Sequence, residues 1–398
     1  MTNYDRAEAL CNEGLELMMQ QEWDLAGEKF QEALEEDPKS PELWFNLGKC
    51  WFHLDKFELA INALASATGL NSKYAEAWAL MGSCYYAVAK LDRARDCFNI
   101  ADSCASDDFS RECFTAYAHC TLALGEYDRG FAEYQSRLQT PDTWDGTQSL
   151  RGKTLLVKAE GGLGDQIFFS RYSEFLRTLG AGYVLWEVDA PLKSYFEEYL
   201  DLDVAVRGEE VERDYMVHAG SLPCIFGTKQ GTIPVFDIGR PYTFKEIRSI
   251  GLAWSGNPLQ PNDHHRTIPL SLFAPLYALE HLDLYQLQKD VRYTDKDAWG
   301  YASIHGREFE NVCDIANVAR DMDLVITVDT MTAHLAGTQG IPTWLLLPYA
   351  PDWRWGFEGE RTPWYPSVKI FRQGEDRKWE PVIERVVAEL AGVKEPHD

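Results

Sequence analysis

The sequence predicts a helical repeat array joined to an α/β region built as two Rossmann-like lobes. Three observations predict it: a 34-residue period through the first third, a change of periodicity after Pro141, and alternation of short apolar runs with amphipathic stretches from there on. A period of that length is the signature of the tetratricopeptide repeat. Strand–helix alternation is the mark of parallel sheets covered on both faces.

The repeat is written at several positions together. Gly14, Gly48 and Gly82 keep the period, as do Ala26, Ala60 and Ala94, then Phe30, Leu64 and Phe98, then Ala33, Ala67 and Ala101. Leu10, Trp44 and Trp78 hold one further position. Small residues let the two helices of a unit approach, and the large apolar positions fill the groove against the next unit. A fourth unit follows with a two-residue slip, putting Gly130 at the alanine position and Tyr134 at the phenylalanine position. Cys120 then falls where Cys50 and Cys84 fall, which makes those three thiols packing residues. Pro38 stops the first unit. The array is expected over 1–145, in about four repeats.

Beyond it, TLLVKA (154–159) reads as a buried strand, GGLGD (161–165) as a loop and IFFSRYSEFLRTLG (167–180) as an amphipathic helix. YVLWEV, PLKSYFEEYL, DVAVR and DYMVHAG continue the pattern to about residue 245. A second set runs SIGLAWSG, SLFAPLYALEHL, LYQLQ, ENVCDIANVARDMD, LVITVD, TMTAHLAGTQG and PTWLLLP. The lobes are expected over 151–245 and 246–398, with a final helix around Trp379–Ala391 packing back on them. Ligands in such folds sit at the carboxyl ends of strands, which directs attention to the loops after TLLVKA, GLAW, LYQLQ and LVITV.

Composition narrows the function. The chain has 398 residues and a net charge of −25, of which −14 lies in residues 1–150 and −11 in the rest. An acidic balance argues against nucleic acid as principal partner and against an anionic membrane surface. The polar start MTNYDRAEAL reads as no signal peptide, and the apolar run Trp344–Leu347 is too short to span a bilayer. Nine cysteines without a C-x-x-C pair read as reduced, buried thiols of a cytoplasmic protein.

Three loops carry chemistry. In Gly161-Gly162-Leu163-Gly164-Asp165, Gly162 and Gly164 let backbone approach a ligand and open a helix. Asp165 either caps that helix or meets the ligand, and G-x-G-x-x-G is absent. In VDTMTAHLAG, a strand ends at Asp329, and Thr330, Met331, Thr332 and Ala333 open a helix whose free N–H groups suit an anion, with His334 in reach of a phosphate. The alternative there is a Thr N-cap with a packed histidine. In WSGNPLQPNDHHRT, Ser255, Asn257 and Arg266 face a ligand across a cleft, arginine being a permanent bidentate phosphate partner. His264 and His265 are adjacent, are expected to diverge, and have no clear third ligand nearby, so no metal is assigned. Asp321-Met322-Asp323 precedes a strand and reads as surface polarity.

Together, GGLGD after a first strand, WSGN with an arginine after the next lobe's first strand, and DTMTAHLAG near the end resemble the family-9, heptosyltransferase-like glycosyltransferases. Joined to a tetratricopeptide array, the chain also resembles protein O-GlcNAc transferases and bacterial repeat–transferase fusions, whose C-terminal part LLPYAPDWRW…TPWYP is similar to. The resemblance implies a GT-B fold with a nucleotide-diphosphate sugar on the second lobe and Asp165 as general base. It implies donor contacts from Arg266 and from Thr330 to His334, with Gly162, Gly164, Ser255, Asn257 and Asp329 lining the cleft. Gln286, Gln288 and Lys289, after LYQLQ, are candidates for base and ribose. Met331 and Thr332 are bulkier than the family's usual Gly or Ala, which implies a shifted donor preference. The function so implied is inverting, metal-independent sugar transfer to a hydroxyl of a protein recruited by the repeats, with no cofactor and with self-association through the array as a further expectation. The alternatives are an inactive repeat adaptor and a lipopolysaccharide-type enzyme with a saccharide acceptor.

Overall fold

The computed structural model describes residues 3–105, 111–136, 143–236, 247–260, 262–291, 295, 304–306 and 308–392. The chain forms two compact units, Met1–Arg137 and Leu138–Asp398. The lobe boundary expected at 245–246 lies outside the described residues.

The first unit is an array of helix pairs: α1 (Asn3–Met19) with α2 (Trp23–Glu36), α3 (Pro41–His53) with α4 (Phe57–Leu70), α5 (Ala75–Ala87) with α6 (Leu91–Cys104), and α7 (Arg111–Ala123) with α8 (Tyr127–Ser136). The repeating glycines are contact points between partners. A Cβ on Gly14, Gly48 or Gly82 would lie 2.8, 2.7 or 2.9 Å from the side chain of Phe30, Leu64 or Phe98. In the fourth pair both small positions are kept with the residue types exchanged: Ala118 of α7, at the glycine position, is fully buried, and Gly130 of α8, at the alanine position, lies against Leu122. Trp44 and Trp78 each donate an indole N–H to a carbonyl six residues back, Pro38 at 3.0 Å and Ser72 at 3.1 Å. The turn inside each pair also repeats: Gln21, Asp55, Ala89 and Gly125 all have φ between 57° and 78°. Cys50, Cys84 and Cys120 are fully buried, and burial pushes each thiol up to about 12.

The second unit holds two wholly parallel sheets. The first runs β3-β2-β1-β4, from β1 (Thr154–Lys158), β2 (Tyr183–Val188), β3 (Val204–Val206) and β4 (Tyr215–His218). The second runs β10-β9-β8-β5-β6-β7, from β5 (Ser249–Ala253), β6 (Asp283–Gln286), β7 (Ile304–His305), β8 (Leu324–Val328), β9 (Thr343–Leu347) and β10 (Val368–Arg372). Counted from each sheet's first strand, the orders are 3-2-1-4 and 3-2-1-4-5-6, the doubly wound arrangement. The order reverses between β1 and β4 in one sheet and between β5 and β8 in the other. The helices are α9 (Leu163–Phe169), α10 (Ser173–Thr178), α11 (Lys193–Tyr199), α12 (Leu222–Ile225), α13 (Asp263–Arg266), α14 (Ala274–Tyr277), α15 (Val312–Arg320), α16 (Met331–Thr338) and α17 (Glu380–Gly392).

α17 closes one face of the second sheet. Its Val382, Ile383, Val386 and Leu390 are at most 2% exposed and join a core with Ile250, Leu252, Ile326 and Leu346. Each such side chain contributes roughly 1.5–3 kcal/mol at most by burial. Among the described residues no helix is long and apolar enough to cross a membrane.

Three local expectations are corrected. The helix expected over 167–180 begins earlier, at Leu163, and is broken by a tighter turn at Ser170–Tyr172. There Arg171 donates its Nε–H to the Phe168 carbonyl at 2.8 Å, drawing the chain off the α-helical path. SLFAPLYALEHL forms only the turn Leu270–Phe273 and short α14, because Pro275 withholds a backbone donor. Asp323 is more than surface polarity: its Oδ2 accepts from the Arg248 and Ser249 amides and the Ser249 hydroxyl, at 3.1, 2.9 and 2.9 Å, fixing the start of β5 beside β8.

Candidate functional site

The switch point of a doubly wound sheet leaves a crevice at the strands' carboxyl ends, because the flanking loops leave in opposite directions. In the first sheet the loops after β1 and β4 are tied together, Gly220 N donating to Glu160 Oε2 at 2.7 Å. The β1 loop turns sharply at Gly161, with φ 65°, and a Cβ there would lie 2.3 Å from Asp165 Oδ2. Gly162 then caps α9, and its N–H donates to that same oxygen at 2.8 Å. Leu163, Gly164 and Asp165 are therefore the first helical turn rather than loop, and Asp165 does cap the helix.

The other carboxylate oxygen of Asp165 faces the second sheet. Its Oδ1 accepts from Arg354 Nη2 at 2.7 Å, while Arg354 Nη1 donates to Asp352 Oδ1 at 2.9 Å. The Asp352 oxygen also accepts from the Arg354 amide at 3.0 Å, so the acid and its arginine form one tight turn after β9. The guanidinium lies 4.7 Å from the Phe168 ring centre and 4.5 Å from that of Trp353. Asp352 and Arg354 carry no motif of their own; in the sequence they stand in PDWRW, within the segment that carries the resemblance.

The loops after β5 and β8 meet through Arg266. Its Nε donates to Asp263 Oδ1 and its Nη1 to the Asp329 carbonyl, both at 3.0 Å. Gly256 makes room, since a Cβ there would lie 2.3 Å from Asp263 Oδ1 and 2.6 Å from Arg266 Nε. Thr330 caps α16, its hydroxyl accepting from Thr332 N at 3.3 Å, and Ala333 N donates to the Thr330 carbonyl at 3.0 Å. Two of the three amides expected to hold an anion are thus bonded within the cap. Thr332 and Ala333 are buried and Met331 is half-buried.

His334 is turned inward rather than towards a ligand. It is 6% exposed, its Nδ1 pairs with the Tyr365 hydroxyl at 2.9 Å, and a Cβ on Gly164 would lie 2.7 Å from its Cδ2. Phe168 and Trp355 also flank the ring, at 5.8 and 5.1 Å between centres. Helices α9 and α16 therefore rest on each other through Gly164 and His334.

The remaining expected contacts divide. Gln288 is bonded within the framework: its Oε1 accepts from Trp254 N and Ser255 N at 3.3 and 3.1 Å, and its Nε2 donates to the Asp290 carbonyl at 3.4 Å. Gln286 is likewise buried, donating to the Gln288 carbonyl. Ser255 is buried with its hydroxyl unpartnered. Asn257 is exposed and spends its Oδ1 on Leu259 N at 3.0 Å; Lys289 is exposed. Among the described residues no contact joins Asn257 or Lys289 to the cluster. His264 and His265 do not diverge; their ring centres are 4.0 Å apart on one-turn α13.

Electrostatics follow from burial. Asp329 is pushed up to about 6 by burial and by the Asp352 charge, against the pull of Arg266. Burial also raises Asp165, opposed by Arg354 and reinforced by Asp352. His334 is held neutral, well below its ordinary value, by burial and then by the charges of Arg354 and Arg171. A buried imidazole beside two arginines cannot readily take up a proton.

A tetratricopeptide-repeat family model matches residues 17–70. The chain is 25% identical over 416 aligned positions to Protein FlbA of Caulobacter vibrioides, covering 91% of this chain and 69% of that one. Among solved structures, the first tetratricopeptide domain of human RPAP3 is 25% identical with a TM-score of 0.29, covering 30% of this chain and 94% of that one. The crystal structure of MamA is 23% identical with a TM-score of 0.31, covering 33% and 75%. The N-terminal region thus carries tetratricopeptide repeats, and the remainder is an α/β region with parallel sheets.

Proposed function

We propose that the chain is an inverting glycosyltransferase of the GT-B type, independent of metal, with its repeat array as a protein-binding module that recruits the acceptor. The observation that carries this reading is the meeting of Asp165, at the carboxyl end of β1, with a cluster containing Arg266, Asp329, Thr330 and Arg354 at the carboxyl ends of β5, β8 and β9. A carboxylate on one side of a cleft and arginines with a helix start on the other are what displacement of a diphosphate requires.

In that reaction the acceptor oxygen bonds to the anomeric carbon, its proton passes to Asp165, and the bond to the diphosphate breaks with its electron pair going to the departing oxygen. Arg266, the Thr330 hydroxyl and the positive end of α16 would stabilise the growing charge. His334 supports them from behind, setting the spacing of α9 and α16, instead of touching the phosphate. Ser255, whose buried hydroxyl is unpartnered among the described residues, is a donor-side residue with hydrogen-bonding capacity to spare.

The test is thermal shift of the full chain with UDP-, GDP-, ADP-, dTDP- and CMP-sugars, followed by intact-mass measurement on acceptor proteins in the presence of EDTA. A shift with one donor and a matching mass gain support the reading. Loss of transfer in EDTA overturns metal independence. A second reading, a repeat adaptor without activity, draws on the ion pair that occupies Asp165 and the inward turn of His334; no shift with any donor would favour it.

A further inference from the structure

We propose that Arg354 is a second cation for the donor diphosphate, and that its pairing with Asp165 makes release of the base conditional on the donor's arrival. This rests on the glycosyltransferase reading above. The two arms of the guanidinium are held differently. Nη1 is anchored locally, on Asp352 two residues away, whose oxygen also binds the Arg354 amide. Nη2 reaches to the other sheet's Asp165, a carboxylate 32% exposed where the arginine is 7% exposed. The aromatic rings of Phe168 and Trp353 fix the guanidinium against turning away. One arm is therefore positioned by its own turn, and the other presents a charged N–H to an oxyanion that solvent reaches.

A phosphate oxygen is chemically the same kind of partner as that carboxylate oxygen. Arg354 also stands on the donor side: the charges of both Arg266 and Arg354 bear on Asp329, the residue before the Thr330 cap. A diphosphate at the start of α16 would have Arg266, bonded to the Asp329 carbonyl, and Arg354, in the turn after neighbouring β9, as its cations. A diphosphate oxygen accepting from Nη2 balances the charge that opposes burial and Asp352 at that carboxyl group, while the guanidinium stays where its anchor and rings hold it. Asp165 then becomes a stronger proton acceptor once the leaving group is in place, and the acceptor's proton is not drawn off without a donor. The cap bond from Gly162 to Oδ2 is untouched by this exchange, so Asp165 stays where it is.

Isothermal titration of the full chain with UDP, GDP, ADP, dTDP and inorganic pyrophosphate tests it. For a ligand that binds, Arg354→Gln is expected to weaken affinity at least about tenfold, the scale of a lost charge-assisted contact. Asp165→Asn, which can still accept the Gly162 amide, is expected to tighten it about threefold or more by leaving Nη2 disengaged. In the Arg354→Gln background the same Asp165→Asn change is expected to do nothing. Arg354→Lys serves if the glutamine variant does not fold: it is expected to bind more weakly than the parent and still tighten with Asp165→Asn. Affinity unaffected by Arg354, or an Asp165→Asn effect equal in both backgrounds, overturns the inference and makes the ion pair a purely structural tie. Binding of none of the five probes overturns the donor reading itself and this inference with it; binding that ignores Arg354 overturns this inference alone.

Discussion

Glycine does opposite work in the two units. In the repeat array Gly14, Gly48 and Gly82 each face one apolar side chain of the partner helix, and the same contact recurs because the same packing problem recurs. In the α/β unit Gly164 faces His334, Gly256 faces Asp263 and Arg266, Gly337 faces Tyr365, and Gly161 faces Asp165. Each of those contacts occurs once, and each partner belongs to the polar cluster. A small residue that is redundant in one unit is thus a positional constraint on chemistry in the other. Gly146 and Gly251 meet Ile225 and Leu287 and pack as the array glycines do, so damage to the array should show as lost stability, and damage to the four glycines of the cluster as lost function.

The largest expected effect concerns function alone. Asp165→Ala is expected to lower sugar transfer by about 100-fold or more, the usual worth of a positioned base, while donor titration still shows binding. Equal loss of both would mean that the residue matters only as the cap of α9. Next comes a matched pair. Gly82→Val forces a branched side chain into Phe98 and is expected to destabilise the array by about 1–3 kcal/mol, read as faster hydrogen exchange in α5 and α6 with donor affinity unchanged. Gly164→Val meets His334 instead and is expected to lower donor affinity and transfer as well. If both variants affect only stability, the distinction between the two units fails.

A third effect is graded by pH. The folded value of Asp329, about 6, lies above its ordinary value of 3.8. Between those values the unfolded chain has released a proton that the folded chain retains, so stability falls as pH rises through the window. Asp329→Asn is expected to flatten that part of a denaturation profile taken from pH 4 to 6; an unchanged slope would place the titration elsewhere. The smallest effect is in the array and has the opposite sign to most substitutions. Ala89 sits at φ 57°, so Ala89→Gly is expected to stabilise by about 0.5–1 kcal/mol. A drop in the α5–α6 exchange midpoint would show that the turn is held by something other than its backbone.

These differences explain what the sequence made legible. The array was readable because one solution is written several times, and Gly130 was found despite its slip because neighbouring positions shifted with it. The fourth pair's use of Ala118 at the glycine position was harder to see, since an alanine in a helix is unremarkable alone. In the α/β unit, strands such as Leu155–Val157 and Leu324–Val328 were plain as apolar runs, because strands buried on both faces carry few polar residues, Thr327 being the one in the second. The Arg266–Asp329 meeting followed from the rule of strand ends. Arg354 and Asp352 were hidden because their roles depend on a partner 189 residues away in sequence. The framework bonds of Gln288 were hidden because a glutamine after a strand looks equally suited to a nucleotide and to two backbone amides of its own framework.

The seam between the two parallel sheets has a practical consequence for dissecting the chain. Arg171, from the first sheet's side, is enclosed by Phe168, Trp364 and Tyr365 and donates to the Trp364 carbonyl at 3.1 Å. Tyr195 and Thr338 share a hydroxyl pair at 2.8 Å across the same seam. A cut in 237–246 would therefore leave a desolvated guanidinium with Phe168 on one fragment and put Trp364 and Tyr365 on the other. The two fragments made separately should be insoluble, and made together should reassemble, so that the smallest piece worth expressing contains both sheets.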